Sequence, residues 1–153
     1  MFSRTFAIAT FAALAGIVSA GHSVGVVNNC GYGTPMMNGP STGLISVPGG
    51  YSSGGDITGW IMFLQTGQCG NNGENCVIVE GTLNDGYSSV DISLISPHEI
   101  NVPTGFSYTD GAGGKYCASG NCPCNSAAFC QPTDYGALVN TADPNASITV
   151  TYC

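Results

Sequence analysis

The sequence has very few basic residues. Its 153 residues include two, Arg4 and Lys115, against nine acidic ones, and only 7% of all residues are charged. A chain with so little positive charge cannot neutralise phosphates, so we expect neither nucleic acid nor an anionic membrane as a partner. The acidity is compatible with simple solubility, or with a site for a neutral, hydroxyl-rich or cationic ligand.

The sequence also lacks an apolar run long enough to cross a membrane. The longest run, residues 6–18, follows Arg4 and leads into the small residues Val18-Ser19-Ala20. This combination is typical of a cleaved signal peptide. We therefore predict a signal peptide at residues 1–20. The mature domain at residues 21–153 is then secreted, to the extracellular space or the cell wall, with a net charge of −8.

No part of residues 21–153 has the 3.6-residue apolar period of an amphipathic helix. Short alternating runs, separated by Gly and Pro, predict strands instead. The predicted strands, besides a central hairpin, are residues 23–29, 34–37, 44–47, 57–65, 100–108, 135–140 and 147–152. The predicted loops are residues 51–55, 67–75 and 110–132. This spacing predicts one all-β domain, a sandwich or flattened barrel.

The central hairpin spans residues 74–98. Two alternating runs flank Asn84-Asp85-Gly86, a typical hairpin turn sequence. Apolar residues share one face of the hairpin: Val77, Val79, Leu83, Val90, Ile92 and Leu94. The opposite face carries Ile78, Glu80, Thr82, Ser89, Asp91 and Ser93. A two-residue loop at Asp85-Gly86 places Glu80 directly opposite Asp91, and such carboxylates repel each other.

Three roles are open for Glu80 and Asp91. As catalytic residues they would be the general acid and the nucleophile or base of glycoside hydrolysis, since opposed strand neighbours approach the ~5 Å spacing of retaining enzymes. Their repulsion would raise one pKa and create a proton donor. As ligand-binding residues they would accept hydrogen bonds from sugar hydroxyls. In the third role they are ordinary surface acids.

All eight cysteines lie in the mature part of the chain, and an even number in a secreted chain predicts four disulfides. A zinc site would need thiolates in a reducing compartment. Cys69 and Cys76 flank a short loop, and Cys30 and Cys153 end the first and last strands, so each pair is predicted to bond. In the chain-entropy model, the Cys30–Cys153 bond stabilises the folded state by on the order of 4–5 kcal/mol. Three pairings remain for Cys117, Cys122, Cys124 and Cys130, with a direct Cys122–Cys124 bond disfavoured.

The two histidines suggest one alternative site. Cleavage after Gly21 would make His22 the amino terminus, and its amine and ring could hold copper together with His98, as in oxidative polysaccharide enzymes. Cleavage after Ala20 fits the sequence better, and His98 is then a polar residue of a turn. We therefore predict no metal and no cofactor.

Other residues fit a secreted, sugar-binding surface. Tyr87, beside the hairpin turn, is predicted to stack on a sugar ring, whereas Trp60 in an apolar strand is predicted to be core. Asn145 begins an Asn-Ala-Ser sequon and is the predicted glycosylation site. Other aromatic residues that could stack on sugars are Tyr32, Tyr51, Phe106 and Tyr108.

Four segments together resemble small fungal thaumatin-like proteins. They are VVNNC near the mature start, the loop GQCGNNGENC, the pair VEGTL and VDISLISPHEINVPTGF, and the terminal ITVTYC. The resemblance covers the whole mature chain in the same order. It implies a flattened two-sheet β-sandwich with a disulfide-rich loop region. It also implies an acidic cleft, with which several members bind or slowly hydrolyse 1,3-linked β-glucans or act against fungi.

Only some of the family's cleft residues have a counterpart in this sequence. Glu80 matches the family's glutamate by its place in VEGTL, and Asp91 matches the first aspartate by its place in VDISLI. The aspartate expected five residues later is Ser96, the family's arginine has no counterpart, and its last aspartate has no identifiable match. We therefore predict a monomeric β-glucan binder of the cell wall. The alternatives are a weak endo-β-1,3-glucanase and a non-catalytic defence or host-interaction protein.

Overall fold

A computed structural model describes residues 21–153, and the predicted signal peptide lies outside the described residues. Within the described part, the chain forms eleven strands and one short 3-10 helix, Tyr135–Ala137, and contains no α-helix. The strands are β1 (His22–Asn28), β2 (Thr34–Asn38), β3 (Ile45–Ser46), β4 (Tyr51–Ser53), β5 (Ile57–Gln65), β6 (Ile78–Leu83), β7 (Ser88–Ser93), β8 (Thr104–Tyr108), β9 (Gly114–Cys117), β10 (Val139–Thr141) and β11 (Ile148–Tyr152).

The strands form two sheets that pack face to face. The five-stranded sheet has the order β4-β1-β11-β8-β9, and the six-stranded sheet has the order β10-β7-β6-β5-β2-β3. The first and last strands are parallel neighbours, with Val24 opposite Ile148 and Asn28 opposite Tyr152. The protein is therefore the all-β sandwich that the sequence predicts.

The core lies between the sheets. Alternating residues of β1, β8 and β11 meet those of β2, β5, β6 and β7, because each strand turns every second side chain inward. The largest fully buried side chains of this core include Trp60, Tyr152, Met37, Met62 and Leu64. Trp60 is 1% exposed, as expected for a core residue.

A second, smaller cluster covers part of the outer face of the six-stranded sheet. Phe63, Ile78 and Cys76 pack there beneath the loop between β5 and β6. Strand β5 is consequently buried on both faces over much of its length, as its continuous apolar run predicts. The rest of the outer face remains open, and the groove described below lies there.

The hairpin has the predicted register. Glu80 of β6 pairs with Asp91 of β7, and Ile78 pairs with Ser93. The turn is closed by the Asn84 side chain, whose Oδ1 accepts hydrogen bonds from the backbone N–H groups of Gly86 (2.9 Å) and Tyr87 (2.6 Å). The sequence therefore predicted the pairing correctly, while an Asx interaction supplies the turn.

Four disulfides join all eight cysteines. The bonds Cys30–Cys153 and Cys69–Cys76 are the two pairs that the sequence indicates. The remaining four cysteines adopt the most local pairing, Cys117–Cys122 and Cys124–Cys130. Both local bonds brace the loop region that follows β9.

Several local predictions were wrong. Residues 51–53 were predicted as loop and form the edge strand β4, and residues 114–117 within the predicted loop form β9. The predicted strand at residues 100–108 is limited to Thr104–Tyr108. Asn101 instead links neighbouring segments, donating to the Leu64 carbonyl oxygen and accepting from the Val77 N–H. The predicted strand at residues 135–140 begins with the 3-10 helix.

Within the described residues, no helix has the length and apolar character needed to cross a membrane.

Candidate functional site

A groove lies on the open outer face of the six-stranded sheet. It consists of two adjoining depressions of about 340 Å³ and 270 Å³, which share Gly59, Ile61 and Glu80. Strands β5 and β6 form its floor. Glu80 stands where the two depressions meet, because its position in β6 turns it away from the core.

One side of the groove is lined by amides. Asn38 at the end of β2 donates a hydrogen bond from Nδ2 to Oδ1 of Asn72 (3.0 Å). The backbone N–H and Nδ2 of Asn72 both donate to the Glu74 carboxylate, at 2.9 Å and 3.1 Å. Hydrogen bonds from the Glu74 and Asn72 backbone N–H groups lower the pKa of Glu74. The chain of contacts holds two amide groups at fixed positions beside the groove.

Asp91 lies directly opposite Glu80 on the neighbouring strand, and it lines neither depression of the groove. Its Oδ1 is buried and has no hydrogen-bond partner among residues 21–153. Burial, and secondly the charge of Glu80, raise the pKa of Asp91 to about 7. Near neutral pH this carboxyl group is therefore divided between its protonated and charged forms, and it can donate or accept a proton.

The groove is short of positive charge. Lys115 is the only Lys or Arg among residues 21–153, and its Nζ donates to the carbonyl oxygens of Ser126 (2.6 Å) and Gly136 (3.1 Å). Neither depression includes a Lys or Arg side chain. Amides, a carboxylate and apolar patches without a cation suit a neutral hydroxyl-rich molecule, because an anion would be repelled.

Of the other residues singled out from the sequence, one lines the groove and two lie elsewhere. Tyr87 is 55% exposed at the hairpin turn but lines neither depression of the groove. His98 does line the groove and donates from Nδ1 to the Gly73 carbonyl oxygen (2.9 Å). His22 instead meets Asp85 at the opposite end of β6. The two histidines therefore do not form the copper site considered from the sequence.

Three polar residues with a clear place in the structure are not predicted from the sequence. Asn38 and Asn72 belong to the groove, and nothing in their local sequence indicates this, because Asn38 reaches it through the pairing of β2 with β5 and Asn72 through the loop between β5 and β6. Asp134, in the disulfide-rich region, is buried and accepts hydrogen bonds from the Cys130 and Gln131 backbone N–H groups. These bonds, that of Cys130 foremost, lower the pKa of Asp134. Its role is to hold the loop around the Cys124–Cys130 bond.

Comparisons with known proteins support the fold. No protein-family model matches the sequence, and no curated protein matches it. Among solved structures, the thaumatin-like xylanase inhibitor TLXI superimposes with a TM-score of 0.57 at 15% sequence identity. The match covers 85% of this chain and 98% of the inhibitor. The protein therefore has the thaumatin-like fold, a disulfide-braced β-sandwich.

Proposed function

We propose that the protein is secreted and binds β-1,3-glucan of the cell wall through this groove. Glu80 accepts hydrogen bonds from sugar hydroxyls at the centre, while Asn38 and Asn72 contact the same chain along one side. Asp91 supports Glu80 from the neighbouring strand. Tyr87, which the sequence predicts to stack on a sugar ring, contacts the polysaccharide only if the bound polysaccharide extends from the groove to the hairpin turn.

The observation that carries the proposal is the pairing of Asp91 with Glu80, which lines both depressions of an open groove that includes no Lys or Arg. Two opposed carboxylates cost stability, and the buried Oδ1 of Asp91 accepts no hydrogen bond from the part of the chain that the structure describes. An arrangement that costs stability beside an open groove points to a role in binding. Neutral polysaccharides match the groove because they supply many hydroxyl donors and no charge.

We expect the mature protein to co-sediment with insoluble β-1,3-glucan, and the Glu80→Gln variant to bind at least about tenfold more weakly. Loss of a hydrogen bond to a charged acceptor costs about 1.5–3 kcal/mol, which corresponds to that change or more. The measurement is depletion of protein from the supernatant over a range of polymer concentrations. Cellulose and chitin serve as comparison polymers.

Glu99→Gln is the matched control, because it removes the same charge from an exposed side chain that lines neither depression of the groove. Its binding should equal that of the wild type. An equal loss of glucan binding in Glu80→Gln and Glu99→Gln would show that binding depends on net charge alone. No depletion by any polymer, from protein shown to be oxidised and folded, would exclude the glucan proposal.

Weak hydrolysis of the same glucan is the second function, favoured by the pKa of about 7 at Asp91. Asp91 would be the general acid and Glu80 the charged carboxylate, with opposed strand neighbours in the spacing range of retaining enzymes. The incomplete resemblance to the family's cleft places this function second. Release of reducing ends that disappears in Glu80→Gln would establish it, whereas binding without release supports the first proposal.

A protein partner is the third possibility. The similar structure TLXI is, by its name, an inhibitor of a xylanase, so the same fold can serve in protein recognition. If no polysaccharide is bound, the search turns to extracellular proteins of a defence or host-interaction setting.

We also propose that Asn145 carries an N-linked glycan in a eukaryotic secretory host. Asn145 is exposed, in the turn before β11. Its backbone N–H donates a hydrogen bond to Oδ1 of Asp143 (2.8 Å), which fixes the turn that carries Asn145. We expect intact-mass measurement to give a glycan mass that is removed by glycosidase treatment and absent from Asn145→Gln. A wild-type mass equal to that of the bare polypeptide would contradict this.

A further inference from the structure

Three segments from both sheets meet at the end of the sandwich opposite His98. His22 begins β1, Asp56 lies between β4 and β5, and Asp85 lies in the turn between β6 and β7. Nε2 of His22 is 3.3 Å from Oδ1 of Asp85 and 3.8 Å from Oδ1 of Asp56. The three ligand atoms all lie within 4.8 Å of one another.

The hydrogen bond on the other side of the imidazole ring determines what Nε2 can do. Nδ1 lies 2.8 Å from the carbonyl oxygen of Ala146, which can only accept, so Nδ1 carries a proton. A neutral His22 therefore points the lone pair of Nε2 at two carboxylates. Nε2 has no hydrogen-bond partner within the described residues, and His22 is 1% exposed. Three electron-rich atoms around one point require a positive species between them.

We propose that His22, Asp56 and Asp85 form a site for a divalent transition-metal cation of the Zn²⁺ type. An imidazole nitrogen and two carboxylate oxygens are ligands that Zn²⁺ accepts. Tetrahedral coordination at 2.0–2.2 Å places ligand atoms about 3.3–3.6 Å apart, a range that the two His22 distances bracket. A backbone carbonyl that accepts from Nδ1 is one of the usual outer partners of a metal-bound histidine.

The surroundings also permit entry of a metal. The Asp56 and Asp85 side chains are 52% and 64% exposed, while His22 is buried behind them. The backbone N–H of Asp85 faces Oδ1 of Asp56 at 3.4 Å, which holds the two acidic segments together. Water can complete the coordination from the solvent side. The bound cation would tie β1 of one sheet to the hairpin turn of the other, and so would stabilise the sandwich.

The test is titration of the mature protein, produced by secretion without a histidine tag, with Zn²⁺ by calorimetry at pH 7. We expect one equivalent to bind and the Tm to rise by about 5 °C or more at saturating Zn²⁺. The chelator EDTA should reverse the rise. We expect Asp85→Asn, which replaces an exposed side chain, to reduce the affinity at least tenfold.

His22→Gln provides a second variant, which should also lose the metal while keeping a polar side chain. His98→Gln is the matched control, because it removes the only other histidine and leaves the site intact. Glu80→Gln shows whether the groove carboxylates contribute, and its affinity should equal that of the wild type. No heat of binding and no change in Tm with millimolar Zn²⁺ would overturn the proposal. Equal affinity in wild type and Asp85→Asn would overturn it as well.

Discussion

The Asp91→Asn variant is expected to be about 2 kcal/mol more stable than the wild type at pH 8. Asp91 is mostly buried beside Glu80, and its pKa is raised from 3.8 to about 7. Keeping it charged in the folded state at pH 8 costs about 4 kcal/mol relative to the unfolded chain. Asparagine removes that cost but leaves a buried amide short of partners, at about 1–3 kcal/mol.

The sign of the pH dependence follows from the direction of the shift. A carboxyl group whose pKa is higher in the folded state favours folding while it is protonated, so its contribution is full below about pH 4. The contribution is lost as the pH rises through about 7. Between pH 4 and pH 8, the difference in stability between Asp91→Asn and the wild type should therefore change by about 4 kcal/mol. The variant should be the less stable protein at pH 4.

Guanidinium unfolding of oxidised protein at pH 4, 6 and 8 measures these differences. Glu99→Gln again provides the control, since it makes the same charge change at an exposed position, and its difference from the wild type should vary little with pH. A constant difference for Asp91→Asn across this range would show that the carboxyl group titrates normally.

The same variant separates stability from function. If Asp91 and Glu80 are kept together for ligand binding, Asp91→Asn should be the more stable protein at pH 8 and yet bind glucan more weakly. Destabilised but functional groups of this kind are common at binding and catalytic sites. If Asp91→Asn gains stability without losing affinity for glucan, then Glu80 and the two amides bind the glucan without help from Asp91.

The part of the site that lies on one hairpin could be predicted from sequence. The turn residues fix the register, and alternation then places Glu80 and Asp91 opposite each other on the outer face. The turn residues and the alternation are both local features, so the sequence pattern is enough to predict them. The raised pKa of Asp91 follows from the same pairing, although its larger cause, burial, depends on neighbours that the pattern does not identify.

The remaining site residues depend on sheet order. Asn38 reaches the groove because β2 lies beside β5, and Asn72 because its loop returns over the same sheet. His22 meets Asp85 for a similar reason, since β1 and the hairpin turn are brought together by the packing of the two sheets. Edge strands such as β4 were missed because residues 51–53 have little apolar alternation, and pairing with β1 holds them.

Removal of the Cys30–Cys153 bond should have the largest effect on stability among the four disulfides. The double variant Cys30→Ser/Cys153→Ser is expected to lose about 4–5 kcal/mol of unfolding free energy. This bond closes a loop of 123 residues, and the entropy that a cross-link removes from the unfolded chain grows with the length of the loop. The bond also fixes the ends of β1 and β11, whose parallel pairing joins the two termini of the domain.

Cys124→Ser/Cys130→Ser is the control for this prediction. That bond closes a loop of only six residues, and neither cysteine is fully buried, so the chain-entropy model gives a loss of about 2 kcal/mol. Denaturant unfolding of the two variants, with free thiols measured to show that the other bonds remain, gives the comparison. Equal losses of unfolding free energy in the two variants would mean that the two ends of the unfolded chain already lie close together without the bond. A loss at least about 2 kcal/mol larger for Cys30→Ser/Cys153→Ser would show that closing nearly the whole mature chain into one loop stabilises this acidic domain.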